Sequence, residues 1–194
     1  MKYATIITTD VTVGEWKART PAVSRVRPAT CPSYAHPSQP IGEGLGLYGH
    51  GLRDREVRLP PLVAGGSPAV VVLDVRRYVC RQCGATCTVG PAGLLARRRF
   101  SGLAIAAAFV FWALDGQSAS AVRRAVSVDR TLGETAKSGW AALKRWARAV
   151  TWGAPSHATS WRARARDTAE WLCAHSPLDW SHSPLERALA AARL

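Results

Sequence analysis

The sequence lacks any hydrophobic run long enough to span a lipid bilayer. Its longest apolar stretch, GLAIAAAFVFWAL at 102–114, falls short of the roughly 20 residues that a membrane-spanning helix requires. The opening residues, MKYATIITTDVTV, also lack the basic start, apolar core and cleavage site of a secretory leader. We therefore expect a soluble cytoplasmic protein with no membrane partner, whose five cysteines serve as thiols or metal ligands rather than in disulfides.

Acidic residues and lysine are both scarce. The 194 residues include 13 Asp and Glu against 26 Lys and Arg, which gives a formal net charge of +13, and only four of the basic residues are lysine. Half of the basic residues lie between 97 and 166, together with only three acidic ones. This charge balance indicates a polyanionic partner, because the planar arginine side chain suits phosphate. The alternative is that an Arg- and Ala-rich chain reflects only a GC-rich genome.

The composition changes along the chain and predicts an α+β protein. Residues 1–30 contain one β-prone run, ATIITT, and are interpreted as an N-terminal arm or edge strand. Residues 31–91 alternate short β-like runs with Gly- and Pro-rich turns, which predicts a small β-hairpin domain. Residues 92–152 are rich in Ala, Leu and Arg and predict an all-α domain, and residues 153–194 predict a C-terminal helical extension.

Three helices are predicted in the all-α domain. The segment 102–114 is apolar on all sides and should be the buried helix of a small bundle, and a second helix at 118–126 begins with a serine cap. A third helix at 134–150 is amphipathic at helical spacing. Its apolar face carries Trp140, Leu143, Trp146, Ala147 and Val150, and its basic face carries Lys137, Lys144, Arg145 and Arg148. This order is typical of a helix-turn-helix unit.

The cysteine spacing indicates a metal-binding knuckle. Cys80 and Cys83 form a C-x2-C pair followed by glycine, an arrangement in which a tight turn points backbone amides at thiolates. Cys31 begins a similar motif upstream, but Tyr34 stands where its partner cysteine is expected. The expected zinc ligands are three thiolates and one further side chain: Cys31, Cys80 and Cys83, with His36 or Cys87. The alternative is a domain that has lost its metal and is held by its sheet and apolar contacts.

The order of these motifs resembles the N-terminal region of insertion-sequence transposases. The resemblance covers residues 31–150. It rests on five stretches in this order: the CP pair that begins at Cys31, HGLRDREVRLP, a predicted strand that ends in RRYVCRQCG, the following segment GPAGLLARRRFS, and the predicted helix with the pattern GW..L.RW.RA. The chain is also similar to small stand-alone bacterial proteins that carry a related zinc ribbon. The resemblance implies a zinc-ribbon-like domain at 31–91 and a helix-turn-helix domain at 92–152, which would recognise the terminal DNA of a mobile element.

The function expected from charge and resemblance is binding of double-stranded DNA, by a transposase-derived or truncated protein associated with the nucleoid. The side chains expected to contact DNA are Arg97, Arg98 and Arg99 after the β domain, Arg123 and Arg124 in the second predicted helix, and Lys137, Lys144, Arg145 and Arg148 in the third. The alternative is a protein–protein interaction module with nonspecific nucleic-acid affinity. Self-association is left open as a further possibility.

Catalysis is not expected. The transposases that the chain resembles cut DNA with three carboxylates that hold two metal ions, whereas the 13 acidic residues are scattered with no βαβ pattern to bring them together. The C-terminal histidines lie in Pro- and Ser-flanked segments, where solvated or capping roles are commoner than catalytic ones. Cys173, alone in a helical pattern, is expected to be a packed core thiol.

Overall fold

The chain forms a mixed α+β structure, as the sequence predicts. The computed structural model describes residues 5–61, 66–129, 140–150 and 152–193. The chain divides into two compact units, of which the first comprises Met1–Val57 and Val72–Arg98 and the second Arg58–Val71 and Arg99–Leu194. The described residues contain one four-stranded sheet and six α-helices. The domain limits inferred from composition stay predictions.

The sheet is built from strands β1 (Thr5–Thr8), β2 (Leu47–Leu59), β3 (Ala69–Cys80) and β4 (Thr86–Gly90) in the order β1-β4-β3-β2. The β-prone run near the N-terminus is an edge strand, parallel to β4 with Thr5 opposite Cys87. β3 is antiparallel to β4, with Tyr78 opposite Cys87. Val75, Tyr78 and Val89 are fully buried in this part of the sheet.

A short helix that the sequence analysis missed, α1 (Val13–Ala18), follows β1. Thr12 and Glu15 form a capping box, in which each side chain accepts a hydrogen bond from the other residue's backbone amide. Trp16 is 1% exposed, and its indole N–H donates to the carbonyl oxygen of Asp74 on β3 at 2.9 Å. The buried side chain of Trp16 therefore attaches α1 to β3. With six residues, α1 is too short to show a helical period in the sequence.

The second unit contains five helices among its described residues. They are α2 (Gly102–Phe109), which continues as a π-helical turn (Val110–Leu114), α3 (Ala119–Val126), α4 (Ala141–Ala149), α5 (Trp161–Ala174) and α6 (Pro184–Ala191). Every residue of α2 is buried, which confirms the first eight residues of the predicted central helix, whereas in the π-helical turn only Val110 and Ala113 are buried. The side chains of Ser101, Ser118, Ser160 and Ser183 accept hydrogen bonds from the first turns of α2, α3, α5 and α6.

The helices pack around α2 and α5. α2 contacts α3, α4, α5 and α6, and α5 also contacts α4, α6 and the π-helical turn. The third predicted helix is observed from Ala141, and residues 130–139, which lead to it, lie outside the described residues. The specific helix-turn-helix arrangement is therefore not confirmed. Within the described part of the chain, no helix has the length and apolar character needed to cross a membrane.

Candidate metal centre and nucleic-acid interface

The second knuckle, residues 80–85 with the C-x2-C pair Cys80 and Cys83, is a tight turn at the end of β3. The amide of Cys80 donates to the carbonyl oxygen of Ala85 at 2.9 Å, and the amide of Gly84 donates to the carbonyl oxygen of Cys80 at 2.8 Å. Gly84 has a φ of +64°, a left-handed conformation that glycine adopts without steric cost. These bonds hold the residues between Cys80 and Gly84 in a compact loop.

The first knuckle, residues 31–36, has the same two backbone hydrogen bonds as the second but lacks the second cysteine. The amide of Cys31 donates to the carbonyl oxygen of His36 at 2.8 Å, and the amide of Ala35 donates to the carbonyl oxygen of Cys31 at 2.7 Å. Ala35 has a φ of +55° and occupies the position that glycine holds in the other knuckle. Tyr34 takes the place of the second cysteine and is 62% exposed.

Gly46 connects the two knuckles through the backbone. Its amide donates to the carbonyl oxygen of Ser38 at 2.9 Å, and its own carbonyl oxygen accepts from the amide of Arg81 at 2.8 Å. A Cβ atom at Gly46 would lie 2.5 Å from the carbonyl oxygen of Pro37, so only glycine fits without displacing the first knuckle. The close approach of these three backbone segments brings Cys31 to the second knuckle.

Three thiols lie close enough together to bind a metal ion. The Sγ atoms of Cys31, Cys80 and Cys83 all lie within 4.8 Å of one another, and those of Cys31 and Cys83 are 3.6 Å apart. Cys31 and Cys80 are each 1% exposed, whereas Cys83 is half-buried. Clustered thiols of this kind suit zinc and other thiophilic cations.

The environment of Cys80 favours its thiolate form. Burial alone would raise the pKa of Cys80, but the backbone amides of Cys83 and Gln82, with the thiols of Cys83 and Cys31, donate hydrogen bonds that lower it below its usual value. For Cys83 the amide of Ala85 acts to lower the pKa, but burial and the thiols of Cys80 and Cys31 raise it. Cys80 is therefore the thiol of this pair that deprotonates more readily.

Neither of the predicted fourth ligands joins this cluster. Among the described residues, no further His, Cys, Asp or Glu ligand atom falls inside the group formed by the three thiols. His36 closes the first knuckle through its backbone, and its ring stacks on Tyr34 with the centroids 6.0 Å apart. Cys87 is 3% exposed on β4, and burial, with the nearby charges of Cys31 and Cys80, raises its pKa to about 11.

Cys173 lies in the second unit, as a packed thiol in α5. It is 7% exposed, and its S–H group donates to the carbonyl oxygen of Pro184 at 3.3 Å. Burial raises its pKa above the usual value. These contacts agree with the core role expected for this residue.

Helix α4 is amphipathic in the way its sequence predicts. Leu143, Trp146 and Ala147 are buried, at 1%, 4% and 1% exposure. The opposite side chains are all exposed: Lys144, Arg145 and Arg148. Lys137, predicted to extend this basic face, lies outside the described residues.

An aromatic cluster anchors α4 in the second unit. The ring of Trp146 meets those of Phe100 and Trp140 edge-on, with centroids 4.9 and 4.7 Å away. The guanidinium of Arg58 lies over the Phe100 ring, 5.1 Å from its centroid, and is paired with Asp129. Aromatic pairs of this kind each contribute about 0.5–1.5 kcal/mol beyond their area burial. The basic face of α4 is therefore carried by a rigidly packed element.

The remaining predicted DNA contacts lie on α3 and in the segment before α2. On α3, Arg124 is exposed and Arg123 is half-buried, while Val122 and Val126 pack inward. Arg97 and Arg99 are exposed and Arg98 is half-buried. The unit boundary falls within this triplet, since Arg98 ends the first unit's second segment and Arg99 begins the second unit's. The carbonyl oxygen of Arg98 accepts a 2.9 Å hydrogen bond from Arg55.

Several arginine side chains donate hydrogen bonds to backbone carbonyl oxygens, a role that the sequence did not predict. Arg162 donates two hydrogen bonds, of 2.9 and 2.6 Å, to the carbonyl oxygen of Trp112 in the π-helical turn, and Arg166 donates to the next carbonyl, of Ala113, at 3.1 Å. The last carbonyls of a helix lack partners within it, so these guanidiniums cap its end. Backbone carbonyl oxygens also accept hydrogen bonds from the side chains of Arg55, Arg76, Arg164 and Arg187. Part of the positive charge is therefore structural.

Comparison of the chain with protein-family models, curated proteins and solved structures found no match.

Proposed function

We propose that this protein binds double-stranded DNA through the basic face of α4, and that the thiols of the first unit hold a zinc ion with a structural role. In this proposal the chain is a DNA-binding relative of the N-terminal region of insertion-sequence transposases, without a catalytic activity of its own. Arg123 and Arg124 of α3 add to the same unit's positive charge, and Arg97, Arg98 and Arg99 supply further phosphate contacts.

The DNA-binding proposal rests on the amphipathic character of α4, which has one basic, exposed side and one apolar, buried side. Lys144, Arg145 and Arg148 are exposed along one side, while the other side is packed through Trp146 and Leu143. A basic helix held rigidly by its apolar side offers cations at fixed spacing to the phosphates of a duplex. Arg162 and Arg166 are left out of the interface, because they cap the π-helical turn.

The zinc part of the proposal follows from the chemistry of the donors. Three cysteine thiols with Sγ atoms within 4.8 Å of one another form a soft donor set, which suits zinc better than magnesium or calcium. A zinc ion held by Cys31, Cys80 and Cys83 joins the two knuckles and stabilises the loops that lead into the sheet. Its role in the proposal is to maintain the fold of the first unit.

The DNA-binding proposal is tested by fluorescence anisotropy with a labelled duplex of random sequence across a salt series. The variant Lys144→Ala, Arg145→Ala, Arg148→Ala should reduce the slope of log affinity against log salt by roughly 0.9 for each phosphate that the protein no longer neutralises. The matched control is Lys17→Ala, Arg19→Ala, Arg25→Ala, which removes the same charge from exposed positions in the first unit. Equal weakening of binding in both variants would mean general charge attraction and would contradict an interface on α4.

A second candidate is a protein-binding module, favoured by exposed apolar side chains on the sheet. Tyr48 and Leu52 of the edge strand β2 are 43% and 48% exposed, and Val72 of β3 is 61% exposed. Exposed edge strands with apolar side chains are suited to pairing with another chain. This candidate predicts that heparin and tRNA compete as well as duplex DNA does in the same anisotropy assay. Clear preference for the duplex would favour DNA binding instead.

A further inference from the structure

The two knuckles together provide backbone positions for four metal ligands but side chains for three. Each begins with a cysteine whose carbonyl oxygen accepts from the amide four residues later, and in each that later residue has a positive φ. The remaining ligand position, three residues after the first cysteine, is Cys83 in one knuckle and Tyr34 in the other. The first knuckle therefore keeps the turn that would present a fourth thiolate, with a phenol in its place.

Tyr34 is poorly placed to close the site. A cysteine presents its sulfur one bond beyond Cβ, whereas the phenol oxygen stands at the far end of a rigid ring. Tyr34 is 62% exposed and its ring stacks on that of His36, at the surface of the knuckle. Cys83, the ligand at the matching position of the other knuckle, is itself only half-buried. Solvent therefore reaches this side of the thiol cluster.

We propose that Cys31, Cys80 and Cys83 form a three-thiolate site for a thiophilic metal ion, whose fourth coordination position takes a small donor from solution. Water fills this position when no stronger donor is present. A low-molecular-weight thiol displaces that water, releasing its own proton to solvent as its sulfur joins the three cysteines. This inference rests on the metal-binding half of the proposed function and is independent of DNA binding.

An open coordination position allows a small ligand from solution to bind to the metal ion and to exchange. Structural zinc sites are ordinarily closed by four protein ligands, whereas a site with three protein ligands keeps a position for a small molecule. Within the described part of the chain, the group of ligand atoms contains no fourth His, Cys, Asp or Glu. The site should therefore respond to added thiol or imidazole, which a four-cysteine site does not do.

The test is cobalt substitution in the purified full chain, since the intensity of the thiolate-to-cobalt charge-transfer absorption reports the number of bound sulfurs. The wild type should show three thiolates, and Tyr34→Cys, which restores the second C-x2-C pair, should show four. Added 2-mercaptoethanol should raise the wild-type charge-transfer absorption and leave that of Tyr34→Cys unchanged. In zinc competition with a chromophoric chelator, Tyr34→Cys should bind at least about tenfold more tightly.

Three control variants identify any protein side chain that closes the site. Tyr34→Phe removes only the phenol oxygen, His36→Ala keeps the backbone carbonyl that closes the knuckle, and Cys87→Ala removes the thiol on β4. All three should leave the cobalt spectrum and its response to 2-mercaptoethanol unchanged. Cys87 is buried in a strand, so circular dichroism must first establish that Cys87→Ala is folded, and Cys87→Ser provides a second variant if it is not.

The failures of the two proposals are distinguishable. A wild-type spectrum that is insensitive to 2-mercaptoethanol, with one of the control variants losing a ligand, would overturn the open position while leaving the metal site intact. Absence of cobalt and zinc binding in both the wild type and Tyr34→Cys would overturn the metal site itself, and the open position with it.

Discussion

The two knuckles of the first unit share one backbone and differ in one ligand position. In each knuckle the first cysteine donates one backbone hydrogen bond and accepts another. Corresponding bonds in the two knuckles differ in length by 0.1 Å. Gly84 and Ala35 follow with positive φ values of +64° and +55°. The turn is therefore maintained by backbone hydrogen bonds and by its neighbours, so the ligand side chain can be replaced while the turn persists.

The largest expected effect comes from removing the ligands of the complete knuckle. Cys80→Ser, Cys83→Ser should abolish zinc binding, because only Cys31 of the thiol cluster remains. Zinc binding to small structural sites is worth on the order of 10 kcal/mol, so the variant should also unfold at lower temperature. Zinc content by mass spectrometry and thermal unfolding with and without chelator measure both effects.

The control for that experiment is the buried thiol of the second unit. Cys173→Ser keeps a donor for the carbonyl oxygen of Pro184 and should leave the zinc content unchanged. If chelator lowered the unfolding temperature of Cys80→Ser, Cys83→Ser as much as that of the wild type, the metal would be bound elsewhere.

A smaller effect is expected where the two knuckles are joined. Gly46→Ala places a Cβ atom 2.5 Å from the carbonyl oxygen of Pro37, so the first knuckle must move away from the second. Strain of this kind destabilises a protein by about 1–3 kcal/mol, and zinc affinity should fall because Cys31 is displaced. Chemical denaturation and zinc competition measure the two quantities.

Gly44→Ala is the matched control for Gly46→Ala. Its Cβ atom would meet only the end of the Arg81 side chain, at 3.3 Å, and a flexible side chain can move aside. Equal reductions of zinc affinity in the two variants would show that Gly46 has no special part in joining the knuckles.

The smallest effect is expected from exchanging the residues with positive φ. Gly84→Ala should destabilise the second knuckle and Ala35→Gly should stabilise the first, each by about 1 kcal/mol, because a left-handed conformation is unfavourable for alanine. Ala35 shows that alanine is tolerated in this turn, so both variants should fold. Urea denaturation gives the difference in free energy of unfolding, and changes of the same sign in both variants would contradict the equivalence of the turns.

Local patterns were predicted well because they depend on residues a few positions apart. The C-x2-C-G motif forms the expected turn, the apolar segment at 102–114 begins the buried α2, and the spacing of Leu143, Trp146 and Ala147 places them on the buried side of α4. The three thiols are among the predicted ligands. The six-residue α1 was missed, since it depends on the burial of Trp16 against β3.

Pairings between distant segments could not be predicted. The parallel alignment of β1 with β4 and the capping of the π-helical turn by Arg162 join residues far apart in the chain, and no local spacing encodes them. Composition explains the arginine content by a polyanionic partner or by a GC-rich genome, and neither explanation includes the guanidiniums that donate hydrogen bonds to backbone carbonyl oxygens.

The C-x2-C-G turn, the amphipathic α4 and the excess of positive charge can be read from the amino-acid sequence, because they follow from backbone preference and side-chain type over a few residues. Which thiols lie together depends on the tertiary structure. Gly46 bridges Ser38 and Arg81 and so brings Cys31 beside Cys83, while strand pairing buries Cys87 opposite Tyr78. Ligand sets depend on such long-range contacts, since a metal ion responds to distance in space and not to spacing along the chain.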